Sequence, residues 1–135
     1  MRWFDAGVNL FSPQYAGQEA QLVADAQAAG IAGLLLISSD LAESQLNLSF
    51  CQQYSGCYAT AGVHPHQAAQ TTHAWLAELR NLLALPQLVA IGECGLDFNR
   101  DFSPRPQQEK VLEEHLALAV ELKLPLFLHE RDANQ

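Results

Sequence analysis

Residues 88–93 read Leu-Val-Ala-Ile-Gly-Glu, four apolar residues and a glycine that end on a carboxylate. An apolar run this short, containing Val and Ile, suits a strand of a parallel sheet buried on both faces. A glutamate at its end is costly to bury unless it is paired or meets a cation. The segment therefore predicts a strand that delivers one carboxylate at its C-terminal end. The same arrangement recurs along the chain. Trp3–Val8 precedes Asn9, residues 57–63 precede His64, and residues 126–129 end on His129.

Helical patterns separate these runs. Residues 17–29 carry a helical stretch closed by Gly30, and a strand at 31–37 ends in Ser38-Ser39-Asp40, which has the chemistry of a helix N-cap. A helix over 41–54 follows. Beyond the third strand, Thr71 and Thr72 are expected to cap a helix bearing Trp75, Leu76, Leu79, Leu82 and Leu83 at helical spacing, ended by Pro86. The fourth strand is expected over 88–92, then a loop at 97–106, a helix over 107–122, and the fifth strand.

Four βα units and a strand, without a hairpin signal, leave an open doubly wound sheet or a (β/α)8 barrel of the TIM type. Asp5, Asn9, His64, His66, Glu93 and His129 all lie at or near strand ends. A barrel gathers such positions at one mouth, whereas an open sheet concentrates its site at one switch point. The barrel is the expected fold. A full barrel needs ~250 residues, and this chain has 135. Residues 1–135 are therefore expected to be the N-terminal half of one barrel domain. Its uncovered strand edges would need the other half, a partner chain, or self-association.

Seven Lys and Arg against fifteen Asp and Glu give a formal charge of -8. Such a chain repels a polyanion at long range, so a nucleic-acid enzyme of this composition needs local compensation, which bound divalent cations supply. Cys51, Cys57 and Cys94 form an odd set without paired spacing, which argues against a disulfide framework. The opening MRWFDAG lacks an apolar signal core, and no apolar run is long enough to span a bilayer. These features predict a cytoplasmic protein with no membrane partner.

Three constellations carry the chemistry. In Gly62-Val63-His64-Pro65-His66, the two histidines would share a face if the strand continued, although Pro65 interrupts it. In Ile91-Gly92-Glu93-Cys94-Gly95-Leu96-Asp97-Phe98, the glycines permit a tight turn or a close approach, and Asp97 reads as a supporting group or a turn residue. His129-Glu130-Arg131 follows a buried strand, so His129 suits metal ligation or proton transfer and Arg131 can grip a phosphate. Cys94 reads as a small buried residue rather than a nucleophile. His73 and His115 fall among polar neighbours and are expected at the surface.

Together these segments resemble the TatD family of metal-dependent nucleases, within the wider amidohydrolase-like barrels, over the whole chain. The resemblance implies 3′-to-5′ exonuclease action on single-stranded DNA or RNA. It implies a divalent metal, magnesium foremost, with manganese or zinc as alternatives. It makes Glu93 a catalytic carboxylate able to bridge two ions, His129 a metal ligand, and His64 a catalytic histidine near the substrate phosphate. Arg131 and Asn9 are then candidates for contacting substrate, with Asp5, Asp97 and His66 in support. A hard ion takes carboxylate oxygen, and two ions can clamp the attacking and leaving oxygens of a phosphodiester.

Most family members open the first strand with Asp-x-His-x-His, whose histidines bind metal; here the segment is Asp5-Ala6-Gly7-Val8-Asn9. Gly7 has no side chain to ligate with, and Asn9 offers a neutral oxygen. The family's later histidine and aspartate ligands are expected on strands beyond the fifth. Two other readings fit the residues: a metal-dependent hydrolase of small amides or esters, and a non-catalytic half-barrel that self-associates.

Overall fold

The structure is a computed structural model that describes residues 2–134. Five strands alternate with four helices: β1 Trp3–Val8, α1 Glu19–Ala28, β2 Ile31–Leu36, α2 Leu41–Gln53, β3 Cys57–Ala61, α3 Trp75–Leu83, β4 Leu88–Asp97, α4 Arg105–Leu122 and β5 Leu126–Arg131. Short 3-10 turns occupy Pro13–Tyr15 and Pro65–Gln70. Every adjacent pair of strands is parallel, and the order across the sheet is β1-β2-β3-β4-β5. A doubly wound sheet reverses its strand order at a switch point, but this one advances without reversal, as barrel strands do. The five strands form half of a barrel.

The core lies where helices α2, α3 and α4 pack on the sheet. Leu36, Leu79 and Ile91 are completely buried there, and each such side chain contributes about 1.5–3 kcal/mol relative to exposure. The opposite face of the sheet is open. Phe4 and Tyr58 stack at 6.4 Å between centroids, with Gly33 beneath the Phe4 ring, yet Phe4 is 54% exposed and Leu128 on β5 58% exposed. β1 and β5 are the two edges of the sheet.

A buried polar network ties the C-terminal ends of the strands together. The Ser38 hydroxyl donates to the Thr60 carbonyl at 2.7 Å and accepts from the Asn47 amide at 2.8 Å, while the Thr60 hydroxyl accepts from Ser38 N–H at 3.1 Å. Beyond it, Glu93 N–H donates to the Ser38 carbonyl and His64 N–H to the Ser39 carbonyl, both at 2.8 Å. This ladder fixes where Glu93 and His64 leave the sheet. The Asp40 carboxylate caps α2 by accepting from Glu43 N–H, as its position in sequence predicts.

Three local expectations change. Thr71 and Thr72 do not cap α3, whose N-cap is Ala74; the Thr71 hydroxyl instead donates to the Ala68 carbonyl and closes the preceding 3-10 turn. β4 does not stop at residue 92 but runs to Asp97, because a register shift between Gly92 and Cys94 absorbs the irregularity and pairing with β5 resumes through Arg131. His115 is not at the surface. It is fully buried on α4, where its Nε2 accepts from Val63 N–H at 3.1 Å and its Nδ1–H donates to the Val111 carbonyl at 2.7 Å. Burial, partly offset by the Val111 hydrogen bond, lowers its pKa to about 4. His73 is exposed, as expected, but lies just before α3.

Candidate metal centre and active site

The mouth of the half-barrel gathers residues that lie far apart in sequence. β4 carries Glu93 and Asp97, β5 carries His129 and Arg131, and the segment after β3 carries His64 and His66. Glycines permit the crowding. Gly92 and Gly95 have φ of +142° and +148°, and a Cβ on Gly95 would overlap the carbonyl oxygen of His129. A side chain at either position would be strained and would push β5, with His129, away from β4.

Donor atoms of His64, Glu93 and His129 lie within 4.8 Å of one another. His129 Nδ1 approaches Glu93 Oε2 to 3.5 Å. Two ligands each ~2.1 Å from one ion and at a tetrahedral angle stand roughly 3.4 Å apart, so this pair can share a cation. The other nitrogen of His129, Nε2, donates to Asp97 Oδ2 at 3.0 Å. A carboxylate behind a histidine fixes its ring and leaves the opposite nitrogen free for metal. The donor set thus fits a divalent ion.

Asp97 is the hub behind these rings. Its Oδ2 also accepts from His66 Nε2 at 2.9 Å, and its Oδ1 accepts from the backbone N–H groups of Asn99 and Arg100 at 3.1 and 3.4 Å. The residue is 1% exposed. Burial pushes its carboxyl up, but hydrogen bonds from His129, His66 and the two backbone groups outweigh that and hold it below the usual carboxylate range. Gln108 of α4 completes the support, accepting from Asp97 N–H at 2.9 Å and donating to its carbonyl at 3.1 Å.

His64 stands differently. Its Nδ1 accepts from His66 N–H at 3.1 Å, so in the neutral ring the proton sits on Nε2. Burial, together with the neighbouring His66 and His129 and against the pull of Asp97, lowers its pKa to about 4. At neutral pH it is therefore an uncharged N–H donor, suited to a phosphate oxygen. Its ring lies 4.5 Å from that of His129.

Arg131 lies two residues beyond His129 on the same strand, so the two share a face. It is exposed and makes no ion pair among the described residues. Asn9 is exposed just past β1. Asp5 is not brought to the cluster. It borders an apolar groove with Val23, Leu34 and Leu36, and its carboxylate accepts from Gly7 N–H. Cys94 is buried between Glu93 and Gly95, and burial, aided by the Glu93 charge, raises its thiol pKa to about 12. A broad groove of about 690 Å³ between α2 and α3 lies on the outer face and contains none of these groups.

Gln108 and Ser103 were not singled out from sequence, and His115 was expected at the surface. Each is a polar residue on or beside α4 that is buried because it bonds to the site's loops. A weak signal exists for two of them: Gln108, Val111, His115 and Leu118 repeat at helical spacing on one face.

A parallel half-barrel with a carboxylate and histidines converging at its mouth belongs to the TIM-barrel class and carries a candidate metal site. The chain belongs to the TatD related DNase family, whose profile matches residues 4–135. It is 48% identical over 132 residues to a protein from Enterobacter lignolyticus named 3′-5′ ssDNA/RNA exonuclease TatD, covering 98% of this chain and 51% of that one. A Klebsiella pneumoniae protein of the same name is 50% identical over 131 residues, covering 97% and 50%. Among solved structures, a TatD homologue from Escherichia coli superposes with TM-score 0.86 at 28% identity, over 96% of this chain and 51% of that one. A TatD family hydrolase from Entamoeba histolytica gives 0.87 at 26% identity, over 97% and 50%. The chain spans about half the length of the curated relatives it matches.

Proposed function

We propose that the protein is a metal-dependent phosphodiester hydrolase that removes nucleotides from the 3′ end of single-stranded DNA or RNA. The observation that carries this reading is the 3.5 Å approach of Glu93 Oε2 to His129 Nδ1 with the rings of His64 and His129 side by side. The names of the relatives support the substrate class.

Glu93 and His129 would hold the ion, with Asp97 fixing His129 from behind. When bound, a divalent cation supplies Lewis acidity toward a phosphoryl oxygen and acidifies water. His64 donates its Nε2 proton in a hydrogen bond to a non-bridging phosphate oxygen, and Arg131 adds a second, charged contact. Asn9 lines the first-strand side of the mouth. These donors offset the chain's acidic balance where the substrate binds. Magnesium is the first ion to test, with manganese and zinc beside it.

Relatives are about twice as long, and we take the open face and the β1 and β5 edges as the surface against which further polypeptide packs and adds ligands. The three free thiols suit a reducing compartment such as the cytoplasm. The test is nucleotide release from a single-stranded oligonucleotide by the intact protein, set beside a panel of amides and esters. Release that stops with EDTA and returns with Mg2+, Mn2+ or Zn2+ is expected. Hydrolysis confined to the amides and esters would overturn the proposal.

A further inference from the structure

Phe102, in the loop between β4 and α4, is 58% exposed beside the mouth. The other exposed phenylalanine among the described residues, Phe4, lies on the open face of the half-barrel, but Phe102 stands on the rim. Its ring is perpendicular to that of His66, 4.8 Å between centroids. His66 in turn lies 4.4 Å from His64. The rings of Phe102, His66, His64 and His129 thus form a continuous row from solvent to the metal centre.

The loop beneath Phe102 is held on both sides. On one side, Asn99 and Arg100 N–H donate to the buried Asp97, and Arg105 forks onto the Asp101 carboxylate at 3.0 and 3.1 Å. On the other, Ser103 is fully buried; its hydroxyl donates to the His66 carbonyl at 3.1 Å and accepts from Ala69 N–H at 2.9 Å. A loop tied this firmly could have turned its aromatic ring inward, yet it presents the ring to water. The Arg100 guanidinium lies 5.6 Å from the Phe102 centroid and makes no ion pair among the described residues.

We propose that Phe102 is a stacking platform for a nucleobase of the bound strand near its 3′ end, with Arg100 beside it to meet the adjoining phosphate. An aromatic face with an unpaired arginine binds single strands without reading sequence, since every base has a π-face and every linkage a charge. The platform also selects against duplex ends, because a paired base is not free to leave its stack. The inference rests on the nuclease reading above and assigns a subsite within it.

The experiment measures binding and release of 3′ nucleotides by the intact protein, using an oligonucleotide with a natural base or an abasic residue at each of the last four 3′ positions. Wild type should lose about ten- to hundredfold in affinity when one particular base is removed. Phe102→Ala should already be weaker by a similar factor with the full oligonucleotide and should lose nothing more at that position. Phe102→Trp should restore the dependence, and Phe102→Leu should not. Circular dichroism of each variant confirms that it is folded. If Phe102→Ala binds as wild type does and keeps the same sensitivity to base removal, the platform is wrong and the nuclease reading stands. If wild type neither binds nor cleaves the oligonucleotide, the nuclease reading itself fails.

Discussion

One carboxylate oxygen of Asp97 accepts hydrogen bonds from both His66 and His129, at 2.9 and 3.0 Å, while its other oxygen holds two backbone N–H groups. An asparagine has a single side-chain acceptor and cannot serve both sets. Asp97→Asn should therefore weaken divalent-metal binding by about 10- to 100-fold, the range for orienting partners of ligating histidines. Calorimetric titration of Mn2+ into the intact protein checks this. A purely structural role would instead lower the thermal midpoint and leave the affinity of the folded fraction unchanged.

His115 satisfies the buried N–H of Val63, next to the site histidine. His115→Phe should leave that donor without a partner and cost about 1–3 kcal/mol. Urea unfolding at pH 7.5 measures it, and an unchanged midpoint would show that the hydrogen bond contributes nothing.

The same residue predicts a pH dependence. Its pKa is lowered to about 4 by burial, against an ordinary value near 6.5. The unfolded chain therefore binds the proton first as pH falls. The contribution of neutral His115 to stability is full above pH ~6.5 and is lost progressively toward pH ~4. His115→Gln, which does not titrate, should flatten the wild-type decline across that window; parallel curves for the two proteins would refute the assignment.

All three thiols are buried, and burial raises the pKa of each, to about 12 for Cys51 and Cys94. Thiolate is the reactive form. The native protein should show no fast-reacting thiol with Ellman's reagent, and these three cysteines should react after denaturation. Rapid modification of Cys94 in the folded state would reopen its exclusion from the chemistry.

The fold was legible because each buried parallel strand is a short apolar run ending on a polar residue, and the helices between carry their own stops. What local pattern could not convey was long-range polar pairing. β4 continues past Glu93 because Gly92 and Gly95 let β5 come close, and no periodicity announces a bulge. His115 lies among glutamates in sequence, so it looked exposed; only the Val63 backbone, 52 residues away, explains its burial. Glu93, His64 and His129 stood out because each follows or closes a short apolar run in the sequence. Asp97 read equally as a supporting group or a turn residue, and its grip on two histidines more than 30 residues away on either side appears only in three dimensions. Asp5, a candidate from the first-strand segment, lies within β1, where its carboxylate accepts from Gly7 N–H and borders the groove beside α1.

Glu93 is proposed as the carboxylate that shares a cation with His129. Its most direct test is metal-dependent release of nucleotides from a labelled single-stranded oligonucleotide by the intact protein and by its Glu93→Ala variant, each with Mg2+, Mn2+ or Zn2+ at saturating level. The structure predicts that the variant, folded as judged by circular dichroism, loses at least about a hundredfold in rate, on the order expected when an electrostatic anchor is removed. Activity within a few-fold of wild type would contradict the site.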